Sequence, residues 1–156
     1  MSSLSGRRPH LVRNEQEEHV QGHHIASELP ARQLPDRLRT VGPGWHVLLL
    51  RLHTQLLVLE PDYRIHDLKE KLGAVRIRIT SACAPVRPEI RSLLTSAEEQ
   101  SATTCEFCGS PGRRRRRNDE AAGWIKAVCE DCHSAWSDHS IMIVNGAVRH
   151  RRPRNG

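Results

Sequence analysis

Four cysteines in the last third of the chain are the residues whose types and spacing most clearly predict chemistry. Cys105 and Cys108 form one Cys-x2-Cys pair, Cys129 and Cys132 form a second, and residues 109–128 separate the pairs. Two intervening residues let one tight turn aim both sulfur atoms of a pair at a single point. Two such pairs brought together give a closed tetrahedral cage of four thiolates, a donor set that suits Zn2+. The spacing therefore predicts one structural zinc ion held by these four cysteines.

The segment between the pairs predicts the hairpin that brings them together. Arg-rich residues 113–117 form one arm, residues 118–123 a polar loop, and residues 124–128 the returning arm. With these parts, residues 105–132 resemble the zinc-ribbon family. The resemblance implies two metal-binding turns joined by a β-hairpin around one ion.

More loosely, the chain resembles a group of small uncharacterised bacterial and phage proteins. The segments that carry this resemblance are Gly44-Trp45, residues 69–73, residues 104–109 with Pro111-Gly112, and Gly123-Trp124. The chain differs from that group in its long arms and in having fewer aromatic residues after Lys71. This second resemblance supports the domain boundaries and implies no activity.

Other chemistries for the cysteines remain open at this point. The Cys-x2-Cys-His haem-attachment pattern is matched by Cys129, Cys132 and His133. Covalent attachment of haem, however, requires export of the protein and would leave the first cysteine pair without a role. Rubredoxin-like iron also uses four cysteines, a redox disulfide needs only one pair, and His133 is an alternative fourth ligand. The odd thiol, Cys83, is interpreted as a small buried hydrophobe.

Composition predicts one modest soluble domain. Lys plus Arg number 24 against 18 acidic residues, for a net charge of +6, and aromatic residues are only 3%. The most apolar run, residues 45–59, is too short for a membrane span and carries Arg51. Residues 1–9 lack the apolar stretch of a secretory signal, and five cysteines without export favour a reducing compartment. We therefore expect a cytoplasmic protein.

The pattern along the chain predicts an α+β fold in three parts. Residues 1–41 are expected to be a flexible arm, in which His19 and His23 have helical metal-binding spacing but are interpreted as solvated. Residues 42–104 predict an α/β body of helix, β-hairpin and helix. Residues 105–156 predict the zinc ribbon followed by a basic C-terminal hairpin, whose Asn145-Gly146 turn is typical of tight hairpins.

The first functional hypothesis is an accessory or regulatory factor that binds DNA or RNA, since Arg forks pair with phosphates and aromatic rings stack on bases. The candidate contacts are basic or aromatic residues of the C-terminal part: Arg113, Arg114, Arg115, Arg116, Arg117, Trp124, Lys126, Arg149, Arg151 and Arg152, with Arg154 beyond them. Side chains on a strand alternate between its faces, so the five consecutive arginines cannot all meet one ligand.

Two alternatives belong to other classes. The apolar stripe of residues 45–59 is wider than a surface helix needs, which favours a protein partner or self-association through that helix. An adaptor of this kind would bind no nucleic acid. A ββα-metal nuclease is the enzyme to consider, because His133 and the Asp138-His139 pair follow the second cysteine pair; the principal hypothesis remains a non-enzymatic protein.

Overall fold

A computed structural model describes residues 33–81 and 85–152 of the chain. Within these ranges, α-helices and two-stranded antiparallel hairpins are combined, which confirms the predicted mixed α+β class. In chain order, the elements are α1 (Leu34–Arg37), α2 (His46–Leu59), β1 (Arg64–Lys71), β2 (Ala74–Thr80), α3 (Pro88–Ala102), β3 (Arg113–Arg116), β4 (Ile125–Val128), α4 (Glu130–Ser137), β5 (Ile141–Val144) and β6 (Ala147–His150).

The body packs two helices against one hairpin, as its apolar pattern predicts. Leu49, Leu52 and Leu56 recur at helical spacing on α2 and are buried. Leu68 of β1 lies opposite Ile77 of β2, and both side chains belong to the same core. Helix α3 closes this core against α2 and β2. Burial of each large aliphatic side chain contributes roughly 1.5–3 kcal/mol.

Residues 33–41 belong to the body, so the prediction of a flexible arm over residues 1–41 is wrong at its C-terminal end. Helix α1 brings Leu34 into the core, and Val41 follows it there. The Leu34 N–H donates to the hydroxyl of Tyr63 at 3.0 Å. Isolated apolar residues separated by polar ones give no periodic signal, which is why the sequence pattern missed this packing.

Strand β4 separates the body core from a second, smaller core around the cysteines. Consecutive side chains of a strand point to opposite faces. Accordingly, Ala127 is buried in the body core and Val128 in the smaller core. The smaller core also contains Cys105, Phe107, Trp136 and Ile141. The two cores therefore share one strand as a common wall.

Helix α4, like α1, was not predicted from the sequence pattern. It has eight residues, too few for an apolar stripe to be recognised, although His133 and Trp136 are both buried at i, i+3 spacing. Glu130 and Asp131 in its first turn are signals of a helix start. The predicted turn of the following hairpin is confirmed, since β5 and β6 are joined by residues 145 and 146 with φ of 51° and 73°.

Some predictions fall on residues outside the described ranges. These are residues 1–32 with His19 and His23, then Cys83, and Arg154. In the part of the chain that is described, no helix combines the length and the apolar character needed to cross a membrane.

Candidate metal centre

The four predicted cysteines converge at one point. Their sulfur atoms all lie within 4.8 Å of one another, which makes them a group able to hold a metal ion. The sulfurs of Cys108 and Cys129 lie 3.7 Å apart. A tetrahedral ion with Zn–S bonds of about 2.3 Å holds its ligands about 3.8 Å apart, whereas a disulfide brings two sulfurs to about 2 Å. The spacing fits a cage for one metal ion and not a pair of disulfides, and none of these four cysteines is disulfide-bonded.

The first pair sits on a tight turn between α3 and β3. The Gly109 N–H donates to the carbonyl oxygen of Cys105 at 2.9 Å, and the Cys105 N–H donates to the carbonyl oxygen of Ser110 at 2.8 Å. Gly109 has a φ of +80°, which side chains rarely tolerate. This turn places the sulfur of Cys105 in the smaller core and leaves Cys108 exposed.

The second pair sits at the start of α4. Cys129 is the N-cap residue, and its sulfur accepts the N–H of Cys132 at 3.5 Å. Its carbonyl oxygen accepts the N–H of His133 at 2.9 Å, the first helical hydrogen bond. The unpaired N–H groups of a helix start favour a negative charge, so this position suits a thiolate. The ligand set contains Cys132 and not the neighbouring His133, which removes the histidine alternative.

Without a cation, the four thiols would not all ionise. Burial raises the pKa of Cys105, and burial followed by the negative charge of Cys105 raises the pKa of Cys132. For Cys108, partial burial acts in the same direction, but hydrogen bonds with Ser110, Cys105 and Cys129 together outweigh it and lower the pKa to about 7. A bound divalent cation would remove this repulsion by neutralising charge, since metal ligands must be deprotonated.

The metal-binding turn is joined directly to the start of α2. The Gly44 N–H donates to the carbonyl oxygen of Glu106 at 2.8 Å. A Cβ atom on Gly44 would lie 2.0 Å from the carbonyl oxygen of Cys105, so only glycine fits there. Next to it, the indole N–H of the buried Trp45 donates to the carbonyl oxygen of Thr104 at 2.8 Å. Any ion that fixes the cysteine turn would therefore also fix the short turn that leads into α2.

Glu106, a buried acidic residue between the two cysteines of the first pair, adds further contacts to this junction. Glu106 accepts the N–H of Gly42 at 3.2 Å and the ammonium of Lys126 at 2.6 Å. Lys126 also lies 3.8 Å from Glu70, whose other carboxylate oxygen accepts the N–H of Gly73. Burial raises the pKa of Glu106, and the charge of Lys126 opposes that effect. One lysine thus links the metal-binding turn to the turn of the β1–β2 hairpin.

With this geometry established, comparison with known proteins adds no relative: no family model, curated protein or solved structure significantly matches the chain.

The predicted arginine arm divides into paired and unpaired residues. Arg115 is bound by Asp119 at 2.6 Å and Glu130 at 2.7 Å, and its side chain is only 12% exposed. The guanidinium of Arg117 stacks over the ring of Trp136, 5.0 Å from its centroid. The remaining three are exposed and form no ion pair within the described ranges: Arg113, Arg114 and Arg116. Sequence reasoning could not separate these two groups.

The other predicted contacts are spread over two hairpins. Trp124 precedes β4 and is 75% exposed, whereas Lys126 on the same strand is held by two glutamates. Arg149, Arg151 and Arg152 are exposed on or after β6, in a different two-stranded sheet. A nucleic acid that contacted every predicted residue would have to reach both hairpins.

His133 joins β3 to α4. Its ring is buried, and its Nε2 donates to the carbonyl oxygen of Arg116 at 2.9 Å. The ring also meets the edge of Trp136. Asp138, the acidic residue next to His139, instead accepts the N–H of Ser140 at 2.8 Å and so closes the turn after α4. Two of the side chains suggested for a nuclease therefore have structural contacts here.

Proposed function

We propose that this chain is a non-enzymatic protein built around one structural Zn2+ and that it binds nucleic acid through the exposed arginines of β3. The zinc assignment is supported by the donor set, because four cysteine sulfurs within 4.8 Å of one another can supply the four thiolates that suit Zn2+. The ion would stabilise the turn that carries Gly109 and the N-cap of α4. Cysteines that hold a metal ion instead of forming disulfides accord with a cytoplasmic location, which we propose with it.

The observation that carries nucleic-acid binding is the exposure of Arg113, Arg114 and Arg116. Most other charges near this hairpin are neutralised, since Arg115 and Lys126 have carboxylate partners. Arg114 and Arg116 share one face of β3, where their guanidinium groups repel each other, and a row of phosphates would relieve that repulsion while accepting paired hydrogen bonds. Arg113, on the other face, would add positive charge near the strand.

The direct test is the salt dependence of binding. A labelled DNA or RNA oligonucleotide titrated with the protein should bind with an affinity that falls steeply between about 50 and 200 mM salt. Substituting Arg113, Arg114 and Arg116 together by Ala should weaken binding and reduce the slope of log affinity against log salt by up to about three.

A matched control removes the same charge from the body. The exposed residues Arg51, Arg64 and Arg91 lie on α2, β1 and α3, and their combined substitution by Ala should leave binding nearly unchanged. Equal loss in the two triple variants would show that only net charge matters. Salt-insensitive binding, or none, would contradict the proposal.

An adaptor function is the second candidate, favoured by one face of α2. Val47, Leu50 and Val58 are exposed, and their i, i+3 and i+11 spacing places them on the same side of the helix. Substituting all three by Gln should abolish a concentration-dependent dimer detected by light scattering while leaving oligonucleotide binding intact. The adaptor would be favoured over the nucleic-acid-binding protein if the native chain formed a dimer that this triple variant loses, and if neither protein bound the oligonucleotide.

A further inference from the structure

An open cleft of about 390 Å³ lies between the turn of the β1–β2 hairpin and the start of β4. It is lined by Leu72 from the β1–β2 turn and by Trp124 and Ile125 from the start of β4, together with Glu70 and Lys71. Sites for small ligands have volumes of about 300–1,000 Å³ and combine apolar walls with a few polar groups. The size and lining of this cleft fall within that description.

Leu72 is held at the cleft in an unfavourable backbone conformation. Leu72 and Gly73 have φ of 53° and 75°, the pattern of a tight hairpin turn whose first position normally carries Asn, Asp or Gly. The β5–β6 hairpin uses Asn145 at the equivalent position of its own turn, with φ of 51°. Leu72 is nevertheless 58% exposed, so its side chain gains little from burial. Neither turn geometry nor packing explains a leucine here, and strained residues of this kind cluster at binding sites.

The two hairpins approach each other closely beside the cleft. A Cβ atom on Gly73 would lie 3.0 Å from the Cγ of Arg114 and 3.1 Å from the backbone nitrogen of Ala127. The β1–β2 turn therefore rests on the β3–β4 hairpin through a position without a side chain. Leu72, the neighbour of Gly73, lines the cleft together with Trp124 of the other hairpin.

Positive charge surrounds the cleft at its rim. Lys71 lines it, and a guanidinium nitrogen of Arg116 donates to the carbonyl oxygen of Gly123, another lining residue, at 3.1 Å. Arg114 lies against the turn that carries Leu72. The acidic lining residue, Glu70, is engaged by the N–H of Gly73 and lies 3.8 Å from Lys126. Basic groups thus flank an exposed aromatic ring.

We propose that this cleft holds one unpaired base of a single-stranded nucleic acid, stacked on Trp124 and covered by Leu72. The assignment rests on the proposed function and makes it specific, because a base can enter such a cleft only after leaving the duplex stack. The strand on either side of the base would lie along Lys71, Arg114 and Arg116, which match its phosphates in charge. Stacking on an aromatic side chain accepts any base, so the site selects single strands rather than a sequence.

The test compares one labelled oligonucleotide as a single strand and as a duplex, using fluorescence anisotropy. The single strand should bind the native protein more tightly. Trp124→Ala should weaken single-strand binding roughly 10-fold, the order of loss that follows removal of one stacked base, without changing the salt slope. Trp124→Phe should retain most of the affinity because it keeps an aromatic ring.

A second variant separates binding from folding. Leu72→Asn should keep or raise the melting temperature, because Asn suits the turn, and yet weaken single-strand binding. Val144→Thr, which makes an exposed aliphatic side chain of β5 polar, is the matched control and should change neither. An unchanged affinity of the Trp124→Ala protein, or an equal loss for the duplex, overturns the cleft assignment while leaving the proposed function standing. Absence of binding to either form overturns both.

Discussion

The ammonium of Lys126 lies 2.6 Å from a carboxylate oxygen of Glu106, a side chain that is 98% buried between the two cysteines of the first pair. Lys126 belongs to β4, and Glu106 also accepts the N–H of Gly42 at the entrance to α2. This one ion pair therefore connects the metal-binding turn, the strand shared by both cores, and the body. Truncating one partner of a buried ion pair leaves the other charge uncompensated.

The first prediction concerns this pair. Lys126→Met should lower the free energy of unfolding by roughly 3–5 kcal/mol, because it leaves Glu106 as a buried carboxylate without its cation. The double variant with Glu106→Gln should recover part of that loss, as a double-mutant cycle of chemical denaturation would show. Lys69→Met is the control, since Lys69 is exposed in its pair with Asp67 and should cost about 0–1 kcal/mol. Equal losses for the two lysines would contradict the structural role of Lys126.

The second prediction tests the junction between the metal centre and α2. Gly44→Ala places a Cβ against the backbone of Cys105 and Gly109, which cannot move without opening the cysteine turn. We expect both a lower melting temperature and a faster loss of metal to a chelator. Ser92→Ala, on the exposed face of α3, should leave the two quantities as they are. A Gly44→Ala protein that melts earlier but holds metal as firmly as the native chain would show that the body and the centre are independent.

The third prediction separates the arginines of β3 by their contacts. Arg115→Ala should leave the salt slope of oligonucleotide binding unchanged, because its guanidinium is engaged by Asp119 and Glu130. Arg114→Ala should reduce the slope by about one, since its side chain is exposed and free of ion pairs within the described ranges. The reverse result would mean that binding breaks the ion pairs of Arg115.

Sequence patterns predicted the parts of this protein whose signals are local. Paired cysteines identified the candidate ligands, Asn145-Gly146 the last hairpin, and the apolar spacing of Leu49, Leu52 and Leu56 the buried face of α2. In each case a few residues close in sequence carry the information.

Features that depend on distant contacts escaped prediction. Leu34 is buried because it packs in the body core, where its N–H donates to the hydroxyl of Tyr63. No residue near Leu34 in the sequence indicates this packing. The pairing of Arg115 with Glu130 depends on α4, a helix too short to be recognised. The cleft at Trp124 depends on the turn at Leu72 meeting a hairpin far along the chain.

The fourth prediction concerns the pH dependence of zinc binding. Zinc ligands must be deprotonated, so protons compete with the ion and affinity falls as the pH falls. If the ion fixes both Gly44 and the start of α4, lowering the pH should release zinc and loosen the packing around Trp45 in the same transition. Zinc release can be followed with a colorimetric indicator and packing by near-ultraviolet circular dichroism. Metal loss that precedes the loss of packing by a wide pH interval would contradict this coupling.

Native mass spectrometry of the gently purified chain tests the central claim most directly. The account predicts a folded protein that carries one Zn2+, with a Cys108→Ser or Cys129→Ser protein binding it far more weakly. A folded chain without metal, or one carrying iron in place of zinc, would contradict the account.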